Sequence, residues 1–173
     1  MARQLLFKGS PKNVAGNEVK PGDQAPDFAC VSAGAGGLEI ITLGSSQGKA
    51  RLFSVVPSVD TPVCSAQTKK FDESIAALKD KVVFSTVSND MPFAQKRFCT
   101  VENVQNSVNL SDLHNGSFAK AYGVALEGLP VPLLARAIFV VDKNNKVTYV
   151  EYVSEVTNHP NYEKALEALK AAA

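Results

Sequence analysis

The feature that most limits the fold of this chain is a strand, a helix and a second strand written in immediate succession. Arg51–Val56 (RLFSVV) is an apolar run that reads as a buried strand. Ser65–Lys81 is patterned as a helix, and counting about 100° per residue puts Cys64, Thr68, Phe71, Ile75 and Leu78 on one stripe. Val82–Ser88 (VVFSTVS) is a second buried strand. A helix between two strands leaves no room for a hairpin, so the strands pair in parallel through a right-handed crossover.

The remaining segments extend that unit. Asn89 or Asp90 is expected to cap a helix that opens with Pro92. Ser117–Tyr122 reads as a short helix ended by Gly123. Ala137–Val141, the turn Asp142–Lys146 and Val147–Val153 read as an antiparallel hairpin, and Tyr162–Ala172 as a closing helix. Gly and Pro punctuate the first forty residues into short strands and hairpins. Ala33–Gly37 is a turn between Phe28–Val31 and Leu38–Thr42, and with no helix after it, it is no phosphate cradle. Without a repeat or long linker, 1–173 is expected to be a single domain. The order of elements predicts an α/β, thioredoxin-like sandwich: a central mixed sheet flanked by helices, with an extra N-terminal β-hairpin.

Charge and composition remove several functions. With 18 basic against 17 acidic residues there is no electrostatic case for a nucleic-acid partner. No apolar run approaches the roughly 20 residues of a spanning helix, so no membrane partner is expected. The apolar stretch near the N-terminus is too short for a signal peptide, and a cytoplasmic location is expected. The three cysteines, Cys30, Cys64 and Cys99, are odd in number and widely spaced, unlike a secreted disulfide framework. No Cys-x-x-Cys occurs, no cluster has metal-ligand spacing, and no cofactor is expected.

Chemistry concentrates in the run Pro57-Ser58-Val59-Asp60-Thr61-Pro62-Val63-Cys64. It places Cys64 at a helix mouth, where N–H groups without intrahelical partners favour an anion and push a thiol toward reactive thiolate. The alternative is a small buried hydrophobe. The Thr61 hydroxyl can fold back toward the sulfur or a bound oxygen, or simply cap the helix. Pro57 and Pro62 stiffen the loop. Arg136 directly precedes the Ala137–Val141 strand. If that strand runs antiparallel to Arg51–Val56, a permanent cation arrives beside Cys64; otherwise Arg136 is a solvated strand end. Cys99 lies about 140° from Ala94 on a helix whose apolar stripe is read as Ala94, Phe98 and Val101, so an oxidant or partner thiol could reach it. Cys30 is read as packed in an apolar strand, and His114 and His159 as surface residues.

At these positions the chain resembles a peroxiredoxin. Pro57, Thr61 and Cys64 match that family's Pro-x-x-x-Thr-x-x-Cys motif, and Arg136 fits its active-site arginine. The segments Phe53–Thr61, Pro92–Cys99, Ala121–Val124 and Ala135–Ala137 are similar to the thiol peroxidase branch of the atypical two-cysteine group. The resemblance implies that Cys64 is the peroxidatic cysteine and Cys99 the resolving cysteine of the same subunit. It further implies a Cys64–Cys99 intrachain disulfide recycled by a thioredoxin-type reductant. The substrates would be hydrogen peroxide and organic hydroperoxides. Thr61 and Arg136 would align the peroxide, Pro57 would shield the sulfur, and the protein would be a homodimer.

The implied disulfide has a mechanical consequence. Seven residues from Pro92 to Cys99 span about 10 Å of helix, whereas a disulfide tolerates a Cα separation of only about 7 Å. Bonding is therefore expected to unwind one or both helices and loosen residues 60–70 and 91–102. Two other readings stay open on the residues alone. One is a redox-sensing or holdase-like interaction protein in which Cys64 oxidises once. The other is a thioredoxin-like domain with merely packed cysteines.

Overall fold

A computed structural model describes residues 3–173; Met1 and Ala2, which open the N-terminal run, lie outside them. Strands β1 (Arg3–Phe7) and β2 (Ser10–Ala15) form the N-terminal hairpin. Its two-residue turn, Lys8-Gly9, has φ of 51° and 75°, the positive values a type I′ hairpin turn requires. A second hairpin follows, β3 (Cys30–Gly34) and β4 (Gly37–Ile41). Next come β5 (Ala50–Val55), α1 (Pro62–Ile75) and β6 (Val82–Ser88), and β5 and β6 are parallel as their succession predicts. The chain continues through α2 (Pro92–Glu102), β7 (Ser107–Ser111), α3 (Ser117–Tyr122), β8 (Ala125–Leu126) and β9 (Leu133–Leu134). It closes with the hairpin β10 (Ala137–Val141) and β11 (Val147–Tyr152), then α4 (Tyr162–Ala172).

The main sheet has seven strands in the order β11-β10-β5-β6-β7-β3-β4, and a smaller sheet runs β1-β2-β8-β9. Strand β10 lies antiparallel to β5 with Ala137 opposite Val55, so the start of β10 and the end of β5 share one sheet edge. All six residues of β5 are buried, because the sheet is covered on both faces. Phe53 and Val55 join Phe28, Phe118, Tyr122 and Phe139 in one core cluster. Ala50 and Leu52 join Phe71 and Ile75 of α1, Ile138 of β10 and Leu169 of α4 in the other. Each of these large side chains contributes about 1.5–3 kcal/mol on burial. Among the described residues no helix is long and apolar enough to cross a membrane.

Two local expectations are corrected, and one strand is added. Helix α1 starts at Pro62 rather than Ser65, with proline at its first position, and its last turn tightens to a 3₁₀ turn over Ala76–Leu78. Neither Asn89 nor Asp90 caps α2; that position is Met91, and the Asp90 carboxylate is engaged elsewhere. Strand β7 carries no local strand signal. Its run, SVNLS, carries few apolar residues, and parallel pairing with β6 makes it a strand.

The N-terminal hairpin is tied to the segment after β11. Leu6 N–H donates to the Ser154 carbonyl and Val156 N–H to the Leu6 carbonyl, each at 2.8 Å. The Glu155 carboxylate accepts from the N–H groups of Gly9 (2.9 Å) and Lys8 (3.1 Å) and from Thr157. These bonds, led by the Gly9 N–H, hold the Glu155 carboxyl down at about 2 from an ordinary 4.5. A depressed carboxyl stabilises the fold above its unfolded value and loses that contribution as pH falls through the folded one. The Gly9 amide resonance should therefore titrate near pH 2. A midpoint at the ordinary 4.5 would show that the turn is not held this way.

Candidate active site

Cys64 is the third residue of α1, behind Pro62 and Val63. The first bond of the helical ladder runs from Ser65 N–H to the Thr61 carbonyl, so the N–H groups of Val63 and Cys64 precede it. The thiol is fully buried with Val56, Val59, Phe98 and Val104, and Cys99 packs against the same cluster. The expected stripe is present: Cys64, Thr68, Phe71 and Ile75 are buried, with Leu78 partly so.

Arg136 reaches this sulfur. The β5–β10 register places it at the edge where β5 ends, and its Nη2 lies 3.2 Å from Cys64 Sγ. It is a buried arginine, 2% exposed, rather than a solvated strand end. Nη1 donates to Gln67 Oε1 and Nε to the Val156 carbonyl, both at 2.7 Å. Gln67 in turn donates to Ser54 Oγ at 2.6 Å. A guanidinium held at three points is fixed in orientation, with its positive charge turned toward the sulfur.

Thr61 precedes α1, but its hydroxyl does not reach the sulfur or cap the helix. It donates to the Ser58 carbonyl at 3.1 Å, leaving the oxygen's lone pairs free to accept. Thr61, Pro57 and Arg136 line one pocket of about 310 Å³, with Phe7, Val63 and Leu133 among its apolar walls. Phe7 enters that wall because the N-terminal hairpin is docked against residues 154–156.

Cys99 lies beside the buried stripe of α2 rather than in it, as expected, but is half-buried because it packs against the Cys64 cluster. The buried stripe of α2 is Pro92, Gln95 and Phe98; Val101, expected inside, is 69% exposed. The phase is set by a polar residue, since fully buried Gln95 donates to Ser88 Oγ (2.8 Å) and the Leu110 carbonyl (3.1 Å). Asn109 Nδ2 donates to Cys99 Sγ at 2.9 Å. Burial pushes the Cys99 thiol up, and this bond opposes it. Cys99 lines a second surface pocket of about 340 Å³. All three cysteines are free thiols.

Cys30 is fully buried in the aromatic cluster, bonded to Asp112 at 3.6 Å, and burial pushes its thiol far up. Such a thiol is inert. His114 is exposed, and His159 Nδ1 lies 2.6 Å from the Tyr162 hydroxyl. Sequence reasoning missed Gln67, Ser54 and the role of Asp90. A glutamine three residues after Cys64, near the buried stripe of α1, was the available signal for Gln67, because a buried amide must have partners.

The family model described as Redoxin matches residues 20–166. The chain belongs to the redoxin family. Among redoxins it is 57% identical to the thiol peroxidase of Halalkalibacterium halodurans, over 97% of this chain and 98% of that one. The Bacillus subtilis thiol peroxidase is 49% identical, over 97% of each chain. A crystal structure of a peroxiredoxin-like protein from Aquifex aeolicus superposes with a TM-score of 0.90 at 41% identity, covering 100% of this chain and 99% of that one. The redoxin fold accounts for the mixed sheet and flanking helices, and the likeness to thiol peroxidases over nearly the whole chain makes it a peroxiredoxin-type enzyme.

Proposed function

We propose that this redoxin is a thiol-dependent peroxidase that reduces hydrogen peroxide and organic hydroperoxides through Cys64, within one domain spanning 1–173. The observation that carries the reading is the Arg136 guanidinium 3.2 Å from Cys64 Sγ, in the wall of a pocket that Thr61 and Pro57 also line. A hydroperoxide in that pocket donates its proton toward Thr61 Oγ1, whose own hydrogen is committed to the Ser58 carbonyl. The Cys64 thiolate attacks the distal oxygen. An S–O bond forms, the O–O bond breaks, and sulfur supplies two electrons. The departing oxygen leaves as alkoxide or hydroxide and takes a proton to become alcohol or water. Charge grows on that oxygen as the bond breaks, and Arg136 is already oriented to meet it. Pro57 and the apolar wall keep bulk water from the sulfur.

The product is Cys64 sulfenic acid. The Cys99 thiolate then attacks its sulfur, displacing hydroxide, which is protonated to water, and leaving the Cys64–Cys99 disulfide. A thioredoxin-type dithiol supplies two electrons to restore both thiols by exchange. A reducing compartment such as the cytoplasm suits three free cysteines. A homodimer is also proposed. Exposed Met91, Phe93, Leu113 and Val131 lie on segments joined by bonds from Asn89 to the Pro132 carbonyl and from Asp112 N–H to the Ser88 carbonyl. These give a second copy an apolar corner to cover.

Treating the reduced protein with one equivalent of peroxide tests the cysteine assignment. Peptide mass spectrometry is expected to find a Cys64–Cys99 crosslink with Cys30 free. In Cys99→Ser the same treatment should stop at Cys64 sulfenic acid and pass to sulfinic acid with excess peroxide. A crosslink through Cys30 would overturn the assignment.

A further inference from the structure

We propose that Asp90 is a positioning residue that holds the Cys64 loop in its peroxide-reactive arrangement and sets how readily the loop is released for disulfide formation. The inference rests on the reading of Cys64 and Cys99 as the redox pair. Asp90 lies between β6 and α2, the helix that carries Cys99. Its backbone is anchored to the sheet, since Ser111 Oγ donates to its carbonyl at 2.6 Å. Its carboxylate reaches across to the loop ahead of Cys64. Oδ1 accepts from Ser58 Oγ at 2.8 Å, and Oδ2 accepts from Val59 N–H at 2.8 Å and Ser88 Oγ at 2.7 Å.

The chain of contacts continues in both directions. The Ser58 carbonyl accepts the Thr61 hydroxyl and the Thr61 N–H, so Asp90 acts on the Thr61 rotamer through Ser58. Ser88 Oγ in turn accepts from Gln95 Nε2 at 2.8 Å, inside α2. One carboxylate therefore joins the element bearing the peroxide-facing hydroxyl to the element bearing Cys99.

These bonds exist only while the loop is seated. Val59 is fully buried, so its N–H needs an acceptor in place, whereas a released loop can offer it to water. Hydrogen bonds to a charged acceptor are stronger than neutral ones, and losing them shifts the balance toward the released loop by about tenfold or more. Peroxide reduction uses the seated loop, and bonding to Cys99 uses the released one. Removing the carboxylate must then move the two half-reactions in opposite directions.

The test follows both halves in a single turnover of the full-length reduced protein. One arm is the rate of Cys64 oxidation by hydrogen peroxide, and the other is the rate at which the sulfenic acid gives way to disulfide. For Asp90→Ala the first is expected to fall and the second to rise, each by about threefold so that their ratio moves by about tenfold, with less Cys64 sulfinic acid formed in excess peroxide. Asp90→Asn, which keeps one acceptor oxygen, and Ser58→Ala, which removes one donor, should show smaller changes of the same opposite signs. They also serve if Asp90→Ala does not fold. General loss of stability would slow both steps, so parallel changes, or no change in either, overturn the proposal. Wild-type protein that forms no Cys64–Cys99 bond would instead overturn the reading beneath it.

Discussion

Peroxide turnover in Cys64→Ser is expected to fall by at least about 10³-fold, because a hydroxyl is a weak nucleophile where a thiolate is a strong one. The fold should tolerate the change. Serine is close in size, and its oxygen inherits the Arg136 donor now 3.2 Å from the sulfur, so the exchanged group keeps a partner. Peroxide consumption with thioredoxin and excess reductant, beside a urea unfolding curve, separates the two effects. Turnover within tenfold of wild type would remove Cys64 from the mechanism. Stoichiometric loss of peroxide by wild-type protein, despite reductant in excess, would favour a sensor over a catalyst.

The second large effect is at Arg136. Removing one donor aimed at developing negative charge costs about 10²–10³-fold in rate, and Arg136→Met is expected to fall in that range. Arg136→Lys should recover part of the loss. A lysine keeps the charge but cannot at once reach Cys64 Sγ, Gln67 Oε1 and the Val156 carbonyl, the three partners of the planar guanidinium. Arg136→Met also leaves the last two acceptors buried and unpaired, at about 1–3 kcal/mol each, partly offset because a desolvated cation is removed. Stopped-flow oxidation of Cys64 by peroxide measures the rate directly. A Met variant as fast as wild type would show that the guanidinium has only a packing role.

Much of the frame was legible because it depends on local pattern. Strands β5 and β6 read as apolar runs since both faces of the sheet are covered, and α3 and α4 fell where expected because capping and periodicity are local properties. Strand β7 was not legible, since its polar sequence becomes a strand only by pairing with β6. The phase of α2 was misread for a related reason. Apolarity pointed to Val101, while the bonds of Gln95 to Ser88 and Leu110 turned the helix the other way.

The sequence by itself determined the crossover unit, the placement of Cys64 at a helix mouth, and a run whose family resemblance pointed to peroxide chemistry. It could not determine which charges attend the sulfur. Arg51 and Arg136 both adjoin apolar strands and both are buried. The antiparallel register of β5 and β10 sends them to opposite ends of the pair. There Arg51 bonds Ser46 and the carbonyls of Asp142 and Leu43, while Arg136 meets Cys64. Only the tertiary structure decided this, because register brings Arg136 to Val156, Gln67 and Cys64, which lie 20, 69 and 72 positions away in the chain, and Arg51 to Asp142, 91 positions away.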